Sequence, residues 1–362
     1  MKTLSFLHRW SGGLIGALLA LLGLTGAILV WEGEWIGVPG ANDPLVEQVR
    51  QIGAISQREV AGGAIRITFA SDEIGLHLVA GEGGAGAYVR QDGTTAASWA
   101  SQWERPELWV FDLHHHLFAG ETGEWVTGIA GMFGLLFVIT GSILWWRSRA
   151  AFQWRLWPRS LQPGPIVRQH RDFGILVAPL LLVSFLTGLG MLFPAATRIA
   201  LAPFGKLEAA ARPPVAATAD GPAQVAFMIA QAKARYSQAA LRRLTVPAKA
   251  DGAWSVRMRQ PFEWTPNGRT TLFFDKRGAI LRVDDPASTG RAASINEKFY
   301  PVHTGKVGGL AWKLVMTASG LSLALLGSLA VWSFWMRRLI HRRSRVRRGG
   351  LGSAPAGNAK PA

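Results

Sequence analysis

The 362-residue chain contains no cysteine. Disulfides and thiolate sites are therefore excluded. No G-x-G-x-x-G or P-loop pattern occurs where a strand would run into a helix, so no soluble nucleotide-binding redox module is readable. Nothing resembles a His-Glu-x-x-His helix or a nucleophile–base pair. Charge is scarce as well, at 17% of residues, and four stretches have none: 10–31, 125–146, 173–197 and 314–336. Each is about 22 residues or longer, enough to cross a hydrocarbon core of about 30 Å as a helix.

Tryptophan marks the ends of these stretches, at Trp10, Trp31, Trp125, Trp145, Trp146, Trp332 and Trp335. Amphipathic rings at the headgroup level form such belts. The pattern implies an α-helical membrane protein with four transmembrane helices. The first stretch is too long for the apolar core of a signal peptide, and Trp31-Glu32-Gly33-Glu34-Trp35 makes a poor cleavage site. It is read as a retained helix.

Acids are missing where bases gather. Residues 147–172 hold six arginines against Asp172, and residues 337–362 hold seven arginines and Lys360 with no acid. By the positive-inside rule these stretches, with the N-terminus, are cytoplasmic. The net charge of +16 is then topology and attraction to anionic lipid, and no nucleic-acid partner is inferred. The plan that follows has helix one with its cytoplasmic start in 1–31 and an outer module in 32–124. Helix two spans 125–146, a cytoplasmic loop 147–169 and helix three 170–197. A second outer module occupies 198–309, helix four 310–336 and a basic, disordered cytoplasmic tail 337–362.

The two outer modules differ in sign. Residues 32–124 carry 14 acids and 5 bases; residues 195–313 carry 8 acids and 18 bases. The contrast favours docking of the modules on each other, or attraction of an anionic ligand. In the second module, residues 223–236 read as a helix with Val225, Ile229 and Ala232 on one side. Strands are expected at 243–247, 254–258, 270–275 and 279–284, the last two joined by a turn at Asp275-Lys276-Arg277-Gly278. In the first, strands are expected at 65–70, 76–79 and 87–90, with 81–86 a loop.

Histidines fall at matched places in the two halves. His8 and His170 lie just before the first and third charge-free stretches. His114 and His303 lie about eleven residues ahead of helices two and four, each followed by glycines. The halves run the same way through the membrane, as two parallel repeats related by an axis along the membrane normal. Such an axis sets His8 opposite His170 and His114 opposite His303. Intramembrane histidines are costly and mark function. Two imidazoles on facing helices suit a bis-histidine haem, which suits electron transfer. Glycines 12, 13, 16 and 23, and 174, 188 and 190, allow close helix packing or leave room for a flat macrocycle. His115 and His116 do not share a helix face with His114 and read as surface neighbours. His77 reads as an ordinary domain residue and His341 as solvated. Arg9 and Arg171 follow the inner histidines, and their positive-inside role is explanation enough.

At these residues the chain resembles the PepSY-associated transmembrane-helix family. The motifs are Leu7-His8-Arg9-Trp10-Ser11-Gly12, then Leu113-His114-His115-His116-Leu117-Phe118-Ala119-Gly120-Glu121-Thr122-Gly123-Glu124-Trp125. His170-Arg171-Asp172-Phe173-Gly174 and Pro301-Val302-His303-Thr304-Gly305 complete them. The resemblance runs to about residue 340. It implies two PepSY-like α+β outer modules, the first more degenerate, and two b-type haems ligated by His8, His114, His170 and His303. His115 is the fallback for His114. It further implies an inner-membrane, iron-regulated oxidoreductase of the ferric-siderophore reductase type, acting on a periplasmic ferric siderophore or similar chelate. Quinol or a separate reductase would be the electron donor. Two other classes remain: a PepSY scaffold or regulator binding a periplasmic protein, and a transporter with histidines in a metal or proton path.

Overall fold

The computed structural model describes residues 2–207, 213, 222–249 and 252–351, the side chains of the last helix as far as residue 342. The first half runs α1 (Lys2–Leu29), α2 (Glu32–Trp35), α3 (Val49–Ala61), β1 (Arg66–Thr68), β2 (His77–Ala80), β3 (Gly86–Val89), β4 (Thr95–Trp99), α4 (Pro106–His116) and α5 (Gly120–Arg147). The second half begins with α6 (Pro163–Leu192), α7 (Pro194–Leu201) and α8 (Val225–Arg235). It continues with β5 (Ala240–Thr245), β6 (Trp254–Arg259), β7 (Thr270–Phe274) and β8 (Ile280–Asp284), then α9 (Arg291–Asn296), α10 (Phe299–His303) and α11 (Gly309–Leu351).

The four charge-free stretches lie in α1, α5, α6 and the part of α11 up to Arg342, each long and apolar enough to cross a membrane. The helices overrun the stretches at most ends. His8 and His170 therefore lie inside α1 and α6, not ahead of them. α6 stops at Leu192 because Pro194 disfavours helical backbone at Phe193 and opens α7. The segment from Arg337, expected to be disordered, is helical as far as Leu351. Arginine is a good helix former, so the basic run continues the helix. Residues 352–362 lie outside the described residues.

Two compact units emerge, one of residues 1–24, 128–186 and 318–362, the other of 25–127 and 187–317. In the first, α1 and α11 meet through glycine. A Cβ on Gly16 would lie 2.9 Å from the Gly327 carbonyl, and one on Gly23 would lie 2.6 Å from that of Gly320. Helices in lipid gain contact by such close approach, since the hydrophobic effect does not drive them together. Gly13 takes the ring of Phe334 and Gly134 that of Phe185. Ser184 and Ser319 share a 2.8 Å hydrogen bond between α6 and α11. The Arg338 guanidinium covers the Trp10 ring at 3.9 Å.

The second unit holds one antiparallel sheet in the order β4-β3-β2-β1-β5-β6-β7-β8. The strands expected from the sequence form within a few residues of their places; β4 and α3 were not foreseen. The two modules are thus not separate bodies. β1 pairs with β5, Ile67 opposite Leu244, and joins them edge to edge. An unpaired strand edge leaves backbone donors and acceptors open, and this pairing closes both inner edges. α3 and α8 cover one face, with Gly53 letting Ala226 approach a would-be Cβ to 3.2 Å. Beneath them Ile52, Ile55, Met228 and Ile229 pack on Ile67, Leu244, Val256 and Leu272. Apolar packing joins the modules, and acids of the first also pair with bases of the second, Glu73 with Lys306 at 2.7 Å and Glu34 with Lys313. Glu47 ties them further by accepting from Lys233 Nζ and from the Leu241 amide at 2.9 Å.

His77 carries a pH-dependent part of this unit's stability. It is 2% exposed, and its Nδ1 accepts from the Ala70 amide at 3.0 Å. Burial pushes its pKa down to about 4. Between the ordinary value of 6.5 and that value, the unfolded chain binds a proton the folded chain refuses. Stability is full above pH 6.5 and falls as pH drops through this window, by on the order of 3 kcal/mol in all. His77→Gln is expected to flatten this slope in thermal unfolding followed from pH 7 to pH 4. An unchanged slope would reject the assignment.

Candidate functional site

α1 and α6 bring the two inner histidines together in the first unit. The His8 and His170 rings have centroids 6.3 Å apart and an interplanar angle of 79°. Their sequence separation is bridged by the packing of four helices, not by any local motif. His8 Nδ1 hydrogen-bonds the Thr140 hydroxyl of α5 at 2.8 Å, and Phe137 lies edge-on to its ring at 5.3 Å. The Nδ1 of His170 is buried with no hydrogen-bond partner among the described residues.

One helical turn beyond each inner histidine stands a glycine, Gly12 and Gly174. A Cβ at either would meet nothing within 4 Å. These two glycines leave open space where Gly13, Gly16 and Gly23 are filled by α11. Two imidazoles bound on opposite sides of one metal ion, at about 2 Å per nitrogen, hold their ring centres about 6 Å apart. The inner pair therefore fits a bis-histidine metal group with a flat ligand. Charged groups nearby are already engaged. Asp172 is fully buried and accepts from Arg155 and from Arg171, the latter at 2.7 Å.

The outer histidines lie in the second unit, each against a Thr–Gly pair of a spanning helix. His114 Nδ1 hydrogen-bonds Thr25 Oγ1 of α1 at 2.9 Å. His303 Nδ1 hydrogen-bonds Thr187 Oγ1 of α6 at 3.1 Å. The glycine that follows each threonine lies under the ring: a Cβ on Gly26 would be 3.0 Å from His114 Cε1, and one on Gly188 the same from His303 Cε1. The inner His8 repeats this seat at Thr140 and Gly141, with 3.5 Å to Cε1. A hydroxyl at Nδ1 fixes which nitrogen stays available for a metal, here Nε2.

Sharp turns deliver the outer histidines. His114 lies in the last turn of α4, and beyond His116 the chain reverses through Leu117 and Phe118, both at positive φ (50° and 60°), before α5. Left-handed backbone costs a non-glycine residue about 1–2 kcal/mol, so packing enforces this turn. His303 ends α10, and Gly305 at φ 76° takes the corresponding bend without that cost. His115 is turned elsewhere: it stacks on Phe111 and shares a 3.0 Å hydrogen bond with His116, which binds Asp112 at 2.9 Å. Burial and the neighbouring His116 lower the pKa of His115. Among the described residues no group of three His, Asp or Glu side chains is placed to hold a metal ion.

The Thr–Gly seats escaped sequence reasoning, although a signal was there. Thr25 follows His8 by seventeen residues, and Thr187 follows His170 by the same number. Ile139-Thr140-Gly141-Ser142 in α5 has a counterpart in Leu325-Leu326-Gly327-Ser328 of α11, with leucine in place of threonine.

A family model described as the PepSY-associated TM region matches residues 6–338. The chain belongs to that family. None of the curated proteins compared with it matches.

Proposed function

We propose that this member of the PepSY-associated membrane family is a di-haem electron conduit of the bacterial inner membrane, with both termini cytoplasmic. His8 and His170 hold one b-type haem on the cytoplasmic side, and His114 and His303 hold the other on the periplasmic side. Bound haem supplies one-electron chemistry, and two histidine ligands leave its iron no open position. The observation that carries the reading is the inner pair: a 6.3 Å ring separation, an orphaned buried Nδ1 on His170 and two glycines facing open space.

The chain's own residues orient and shield. Thr140, Thr25 and Thr187 hold Nδ1 of His8, His114 and His303 and so leave Nε2 as the nitrogen that would hold a metal. Seventeen residues of helix rise about 25 Å, so α1 carries a histidine near one end and a histidine seat near the other. α6 does the same. A parallel repeat of the two halves accounts for this cross-bracing, in which α1 seats His114 and α6 seats His303. Electrons would enter from quinol or a separate reductase and leave to a ferric siderophore or similar metal chelate.

The test is the visible spectrum of the purified full-length protein after haem-sufficient expression. Sharp α and β bands on dithionite reduction, reoxidised by a ferric hydroxamate chelate, are expected. A colourless, folded protein would reject the reading and favour a scaffold or a metal or proton path.

A further inference from the structure

The face of the sheet not covered by α3 and α8 is rich in arginine. Side chains alternate along a strand. With Ile67, Leu244 and Val256 in the core, Arg66, Arg243 and Arg257 fall on the opposite face. Arg243 and Arg257 are direct cross-strand partners on β5 and β6. A bulge between Leu241 and Arg243 makes room for a second arginine, Arg242. It is 7% exposed and its Nε is buried without a hydrogen-bond partner among the described residues. Burial and then Arg259 oppose the charge of Arg242, which Asp72, Glu47 and Glu73 favour, and burial and then Arg66 oppose that of Arg243. Tyr300 lies close enough to Arg243 to interact with it electrostatically. Tyr300 precedes His303 by three residues on α10, so the two share one helix face.

We propose that Arg66, Arg242, Arg243, Arg257 and Arg259 form an oxyanion site on this face, beside Tyr300 and one turn of α10 from His303, that takes carboxylate groups. Guanidinium binds carboxylate with two parallel hydrogen bonds, and an arriving carboxylate would supply the partner that the buried Arg242 Nε lacks among the described residues. Two sources supply this chemistry. One is the propionate side chains of a haem at His303, which rests on the reading above. The other is a carboxylate-bearing chelate from solvent, which does not.

The experiment uses the full-length protein with Arg243→Gln and Arg257→Gln, and gallium(III) citrate as a redox-silent probe. If the carboxylate comes from solvent, wild type binds the probe. Each variant then binds it about tenfold or more weakly, with haem bands unchanged. If it comes from propionates, haem-loaded wild type ignores the probe. Each variant then shifts the spectrum and midpoint potential of one haem alone. Melting temperature is the control: without probe or haem the variants melt with wild type. A lower melting temperature, or no response of either probe binding or haem in either variant, overturns the site. A colourless protein whose citrate binding still depends on Arg243 would overturn the electron reading and leave the site standing.

Discussion

If the proposed di-haem reading holds, His170→Ala is expected to remove one haem and leave the other in place. His170 and His8 form a pair whose 6.3 Å ring separation suits two axial ligands of one metal. Loss of one ligand opens a coordination position and weakens retention of the group. The outer histidines keep their own seats, at Thr25 and Thr187, so the second site persists. Gly188→Val is the converse. Its side chain would enter the space of the His303 ring, already 3.0 Å from a would-be Cβ, and displace the outer ligand. Haem per polypeptide, measured as the pyridine complex, should fall by half in either variant and to near nothing in the double variant. Full haem content in both would sink the assignment of these histidines.

Asp172→Ala is expected to give the largest loss of stability of any single change near the site. The carboxylate is fully buried and accepts from Arg155, from Arg171 and from the Gln153 amide at 3.3 Å. Arg171 also reaches the Ala151 carbonyl at 2.5 Å, so this one side chain fastens the segment between α5 and α6. Removing it leaves two mostly buried guanidinium groups without their counter-charge, a change that costs about 3–5 kcal/mol. Thermal unfolding in detergent should drop by roughly 4–7 °C. Trypsin should cut at Arg155 and Arg159 far faster than in wild type. A melting point within a degree or so of wild type would show that the cluster carries no such load.

Much of this protein is written in local sequence. A charge-free run of some 22 residues can be stable in few places other than a bilayer, so all four spans were readable, as were seven of eight strands. β4 was missed because Thr95–Trp99 has no run of large apolar residues, and its burial comes from Trp99 alone at its end. α3 was missed because it buries only Ile52, Gly53, Ile55 and Ser56. Two of those four are small or polar, and they gain their meaning from Ala226 of α8. The edge joining β1 to β5 has no local signature either.

The sequence by itself picked out four helices long and apolar enough to cross a membrane, the stretches where its cations gather, and histidines that recur in two matched sets. Period, charge and length settle these, because each acts within a few residues. Tertiary structure alone decided what each histidine touches. His8 meets Thr140 across 132 residues, His303 meets Thr187 across 116, and His114 meets Thr25 across 89. It also decided that Gly12 and Gly174 face open space while Gly16 and Gly23 are pressed against α11. Glycine reads the same in every sequence; only the helix opposite it makes it a packing surface or a gap.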